Sequence, residues 1–145
     1  MSEPAHEALV AGLLAATGAS RVTLRLDVAG PAFFPVVAEA CAPGIAPIAG
    51  DASIDLRAAP TFTTVAEELR TVIQDDVTTA EPPTPPEVIA RYGVRAQMLA
   101  PVVRDGRCVG TLSVHEATGP RAWSAADRRA LEAAAAAAPA GEASR

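Results

Sequence analysis

The sequence predicts an α+β domain: a central antiparallel sheet of five or six strands, with N- and C-terminal helices on one face and loops and short helices roofing a pocket on the other. Three observations carry this. Residues 21–28 alternate strictly between apolar and polar. Asp105-Gly106 separates two strand-like runs, a strong hairpin signal. Helical patterns stand at both ends of the chain. Hairpins make antiparallel sheets, and terminal helices beside one sheet give a layered α+β architecture.

The first element is helical because Leu9, Val10, Leu13 and Leu14 form one apolar stripe, and Gly18 supplies a stop. The strand that follows puts Val22, Leu24, Leu26 and Val28 on one face and Thr23, Arg25 and Asp27 on the other. Gly30-Pro31 breaks it, and 34–40 reads as the returning strand. Residues 42–60 have no clear period. A short helix is expected over 63–70, capped by Thr63 or Thr64, and a short strand over 71–74. Four prolines, Pro82, Pro83, Pro85 and Pro86, impose an irregular excursion. A further short helix spans 86–92 with Gly93 as its stop, and strands are expected over 96–103 and 108–116. In the last of these, Thr111, Ser113 and His115 share one face. The final helix has Ser124 as its cap and Asp127 as the reciprocal partner, and Pro139 closes it. One domain is expected over 1–138, with 139–145 a frayed tail.

The 145 residues suit one domain with a real core, and half of them are apolar. Net charge is −5 and the twelve basic residues are scattered arginines, so no nucleic-acid footprint is readable. No apolar run is long enough for a membrane span, and the N-terminus lacks a secretory plan, so cytoplasm is the expected location. Cys41 and Cys108 form no CxxC and lie near neither His6 nor His115 in sequence, which argues against zinc. Both read as small apolar residues on strands, with raised pKa values and low reactivity. His6 reads as solvated. Arg121 and Trp123 read as a lock between the last helix and the sheet.

A sheet roofed by irregular segments, here 42–95, tends to enclose a pocket. The stretches Tyr92-Gly93-Val94-Arg95-Ala96, Pro101 to Arg107, Val109-Gly110-Thr111-Leu112-Ser113-Val114-His115, and Gly119 to Ser124 resemble the second half of a GAF domain. Thr17 to Val22 is similar to the usual entry to its first strand, and Val72 to Val77 to its mid-domain strand and turn. The family includes sensory modules for cyclic nucleotides, bilins, haem and small metabolites. Phytochrome-type members carry a similar Gly-x-x-x-x-His strand. In them that histidine and an aspartate after the mid-domain strand touch the chromophore. The resemblance carries these roles to His115 and Asp76, and pocket positions to Arg25 and Gln97. With Ser113, these five are the expected ligand-binding residues.

No cysteine lies where bilins are attached in the family, which argues against a covalent bilin, and haem is disfavoured. The expectation is therefore no cofactor and no metal. The signature of cyclic-nucleotide-binding members is not seen. Free methionine sulfoxide reductases of this fold use cysteines in central loops, whereas Cys41 and Cys108 fall on expected strands. No catalytic set stands out, so whether the pocket houses an enzyme is left open. The leading expectation is a stand-alone small-molecule sensor, with a compact acidic metabolite as ligand and a separate protein as possible effector. The alternative is a dimerisation or partner-binding module with an unused pocket. A homodimer through the terminal helices is expected, because Leu9 and Leu13 have few obvious partners in the sequence.

Overall fold

A computed structural model describes residues 3–30, 32–51 and 54–139. Helix α1 (Pro4–Thr17) begins with proline in its first turn, where the missing N–H costs nothing. It ends at Gly18 in the left-handed region (φ 64°), whose N–H bonds the Leu14 carbonyl. Strands β1 (Arg21–Leu26) and β2 (Val36–Cys41) pair antiparallel. The expected returning strand starts later than 34, because Phe34 has φ 49° and Pro35 lacks a donor. One turn of 3-10 helix (Leu56–Ala58) leads into α2 (Pro60–Glu68). This helix starts earlier than the expected 63, with Pro60 in its first turn and no side-chain cap. Thr63 instead donates its hydroxyl to the Pro60 carbonyl.

Strand β3 (Val72–Gln74), helix α3 (Pro86–Tyr92), strands β4 (Ala96–Arg104) and β5 (Arg107–Glu116), and helix α4 (Ala125–Ala137) complete the order. Asp105 and Gly106 both take positive φ (54° and 76°), the two-residue turn that matches strand twist. At the start of α4, the Ser124 side chain accepts from Asp127 N–H while the Asp127 carboxylate accepts from Ser124 N–H.

The sheet has five strands in the order β2-β1-β5-β4-β3. Its helical face holds the core: Val22, Leu24 and Leu26 of β1, Met98, Ala100 and Val102 of β4, and Leu112 and Val114 of β5, under Val10, Leu13, Leu131 and Ala135 of the helices. Leu13 thus finds its partners within the chain; it is buried, and Leu9 and Leu14 pack half-buried against the same core. His6 is not solvated as expected: it is buried, and its Nε2 lies 2.7 Å from the Pro139 carbonyl oxygen, tying α1 to the end of α4. Arg121 does lock this end, bonding the Thr17 carbonyl, Glu116 and Asp127 and stacking over Trp123 at 4.4 Å. Trp123 Nε1 donates to the Gln74 carbonyl.

β1 and β5 approach closely at Gly110. A Cβ there would sit 2.4 Å from the Arg25 carbonyl oxygen and 2.6 Å from Leu26 Cδ2, so only glycine fits without backbone movement. Among the described residues no helix is long and apolar enough to cross a membrane.

Candidate ligand cavity on the loop-covered face

Period-two alternation that sends Val22, Leu24 and Leu26 to the core sends Arg21, Thr23 and Arg25 to the opposite face. The strand registers align these into rows. Cys41, Arg21, His115, Gln97 and Gln74 form one row across all five strands. Glu39, Thr23, Ser113, Leu99 and Val72 form the next, and Arg25, Thr111 and Pro101 follow. The roof is made by α2, α3 and the loop around Ile48. Phe34, Ala59 and Phe62 cluster there, with Phe33 against both rings. Val65 of α2 seats on Val72 and Leu99.

Between sheet and roof lies a cavity of about 50 Å³, lined by Thr23, Arg25, Ser113 and His115 from the sheet and by Ile48, Phe62 and Tyr92, among others, from the roof. A water needs about 10–15 Å³ on this measure. This space therefore takes a group of a few heavy atoms. A second, larger pocket of about 390 Å³ shares Arg25 and Leu56 with it and runs along Phe33, Pro35 and Val36. That volume is within the range of about 300–1,000 Å³ typical of small-molecule sites.

The polar groups of the sheet face are satisfied in an orderly way. Arg21 Nε and Nη2 donate to the Ala46 carbonyl at 3.2 and 2.8 Å, and Nη1 meets His115 Nδ1 at 2.9 Å. Burial and the two guanidinium groups, Arg21 then Arg25, depress the His115 pKa to about 3, so the imidazole is neutral at physiological pH. Arg25 Nη1 donates to the Phe34 carbonyl at 3.1 Å. Burial lowers the Arg25 pKa, opposed by the Tyr92 hydroxyl and by the more distant charges of Glu39 and Asp51. Neither Arg21 nor Arg25 has a carboxylate at ion-pairing distance among the described residues. Glu39 is occupied by the Ile48 and Ala49 N–H groups.

The five residues expected from sequence are thus divided. Arg25, Gln97, Ser113 and His115 all line the cavity. The Gln97 amide, however, is committed to Gln74 Oε1 at 2.9 Å and Thr84 at 3.1 Å, so it braces the wall. Asp76 is elsewhere: its carboxylate accepts from Thr78 N–H and hydroxyl, which lowers its pKa, and it does not line the cavity. Asp75 beside it accepts from Trp123 N–H. Leu99 and Phe62 give the cavity apolar lining, while Ile54 lines the larger pocket. Sequence reasoning missed Arg21 and Thr61; Tyr92, which it left between lining the pocket and stapling the short helix, lines the cavity. The alternation that identified Arg25 also places Arg21, four residues earlier, on the same face.

Cys41 and Cys108 lie on β2 and β5, half-buried, and burial pushes both thiols above their ordinary pKa. The Cys108 thiol donates to the Gly110 carbonyl at 3.1 Å.

The fold is similar to solved GAF domains. The blue-light-absorbing form of the PixJ GAF domain of Thermosynechococcus elongatus shares 22% identity over 90% of this chain and 78% of its own, with a TM-score of 0.72. The chromophore-binding domain of an unusual bacteriophytochrome from R. palustris shares 21% over 90% and 52%, with a TM-score of 0.67. A far-red-absorbing dark state with bound biliverdin IXα shares 17% over 88% and 81%, also at 0.67. A search of the curated proteins finds no match.

These likenesses correct one expectation. The sequence argued for no cofactor, mainly because no cysteine stands where bilins attach. The solved folds that the chain resembles include chromophore-binding domains, one holding biliverdin, so a cofactor-free reading is withdrawn. For this chain, the smaller cavity alone does not fit a linear tetrapyrrole; one would have to occupy the larger pocket as well. The GAF domain family model matches residues 4–138, essentially the length of the described fold, and the chain belongs to the GAF domain family.

Proposed function

We propose that this GAF domain is a sensory or regulatory module that binds a compact, mostly apolar small molecule carrying a carboxylate or similar acceptor. The observation that carries this reading is the buried guanidinium group of Arg25 in the cavity wall, with no carboxylate at ion-pairing distance among the described residues. A buried cation without a counter-ion is costly, and an anionic ligand supplies the missing partner. Arg25 offers bidentate geometry for a carboxylate. Thr23, Ser113 and His115 add hydrogen bonds, and Leu99 and Phe62 grip carbon. The acidic head would enter the smaller cavity and the rest of the molecule would extend past Leu56 into the larger pocket. Binding would be transmitted through whichever roof conformation holds the ligand better.

The test is thermal-shift screening of small carboxylic acids against their matched amides. Acids should stabilise the protein more than their amides, and Arg25→Ala should remove the difference. Equal shifts for each pair would refute the anion reading.

A second reading comes from the fold that holds biliverdin IXα. Biliverdin is itself a dicarboxylic acid, so Arg25 suits it as well. Adding it to the protein should then give a red-shifted, intensified absorption band; an unchanged spectrum would dispose of this reading alone. Dimerisation through the outward faces of α1 and α4, where Ala11, Gly12 and Ala133 are exposed, is a separate proposal that sedimentation at tens of micromolar would decide.

A further inference from the structure

His115 and Arg21 stand opposite each other where β1 and β5 pair. Both are buried, at 6% and 3% exposure. Arg21 cannot turn away, because two of its nitrogens hold the Ala46 carbonyl. Its third nitrogen lies 2.9 Å from the His115 ring. Arginine has donors and no acceptor, so the imidazole nitrogen that it meets must carry a lone pair. The ring is then neutral, and its one proton is on the other nitrogen, Nε2. Arg21 is the ring's one hydrogen-bond partner among the described residues, and no fully buried side-chain nitrogen or oxygen there lacks a partner, so Nε2 is the edge that opens to the cavity His115 lines.

The surroundings reinforce this. From β1, Arg21 and Arg25 are cationic and Thr23 is neutral. From β4, Gln97 faces the ring but spends its amide protons on Gln74 and Thr84. Tyr92 of α3 engages Arg25, and Glu39 and Cys41 of β2 lie on the far side of β1. Among the described residues no carboxylate is bonded to the ring.

We infer that Arg21 is a specificity-determining positioning residue, which fixes His115 as a neutral Nε2–H donor so that the site accepts ligands offering lone pairs and rejects those offering N–H. Arg25 and His115 then form two fixed donors on one wall, a pattern that suits carboxylates and carbonyl acids and opposes amines and amidines. The discrimination rests on the ligand-binding reading above; the tautomer does not. A site built to donate leaves its donors unpaired against a donor ligand, the situation in which polar pockets discriminate most strongly.

The experiment is imidazole ¹⁵N spectroscopy of the full chain from pH 5 to pH 8, with His115→Gln used to assign the two histidines. Wild type should show His115 neutral throughout, protonated at Nε2 and bare at Nδ1. Arg21→Met should mix the tautomers. Arg21→Lys, which keeps a charged donor, should retain the Nε2–H form. An Nδ1–H ring or a cationic ring at pH 6 in wild type would overturn the inference, as would an unchanged spectrum in Arg21→Met. Should Arg21→Met fail to fold, wild type and Arg21→Lys still decide. In the thermal-shift panel, the preference for acids over matched amines should fall about tenfold in Arg21→Met. If no acid binds wild type, the ligand reading and the discrimination both fail, while the ring spectra still report whether Arg21 sets the tautomer.

Discussion

Acid should destabilise this protein through His115 before it does so through the carboxylates. The native pKa is about 3 and the ordinary value is 6.5. Between these values the unfolded chain binds a proton that the folded chain refuses, so stability rises with pH across the window and is lost as pH falls through it. At pH 5 the unfolded ring is almost fully protonated and the native ring is not. The shortfall of 1.5 units below the unfolded pKa corresponds to about 2 kcal/mol relative to pH 8. The carboxylates with lowered pKa, Asp55, Asp76, Glu116 and Glu132, contribute stability that is lost only at lower pH, below their ordinary values near 4. The two effects are therefore separable. Urea unfolding followed by circular dichroism at pH 8 and pH 5 measures the difference. Wild type should lose about 2 kcal/mol more than His115→Gln between these pH values. Equal losses would refute the buried neutral imidazole, and with it the argument from the Arg21 contact.

Four further outcomes follow from the same geometry. Gly110→Ala should destabilise by about 1–3 kcal/mol in urea, because its methyl meets the Arg25 backbone at 2.4 Å; a neutral effect would show that β1 and β5 can part freely. Ser124→Ala should cost about 1 kcal/mol by removing one half of the reciprocal cap on α4. Arg25→Ala should weaken a carboxylate ligand by roughly 1.5–3 kcal/mol, the scale of a hydrogen bond to a charged group, and leave a neutral analogue unaffected in calorimetry. Cys41→Ala and Cys108→Ala should leave acid binding intact, and the native thiols should react slowly with a disulfide reagent at pH 7; fast reaction would contradict their raised pKa values.

The sheet and its faces were legible because alternation is a local signal with one consequence. Val22, Leu24 and Leu26 could go only to one side, and Arg25 only to the other. The same holds for Ser113 and His115. The Ser124–Asp127 cap and the Asp105-Gly106 turn were equally local. What was not legible depends on contacts far apart in sequence. Asp76 resembled a chromophore-contacting aspartate, but it does not line the cavity, and its carboxylate accepts from the Thr78 N–H and hydroxyl in a short Asx turn. Gln97 was placed on the correct face, yet its commitment to Gln74 and Thr84 requires knowing that the proline-rich excursion folds back over β3. His6 looked terminal and solvated because its partner, Pro139, is 133 residues away. Arg21 was visible by periodicity, but its meaning arises only from the β1–β5 register that sets it against His115.

The central claim is that small acids bind on the loop-covered face of the sheet. The most direct test is backbone amide shift mapping with the acid that gives the largest thermal stabilisation. Perturbations should centre on Thr23, Arg25, Ser113 and His115, extend to Phe62 and Tyr92 of the roof, and vanish in Arg25→Ala. Perturbations confined to α1 and α4, or unchanged in Arg25→Ala, would contradict it.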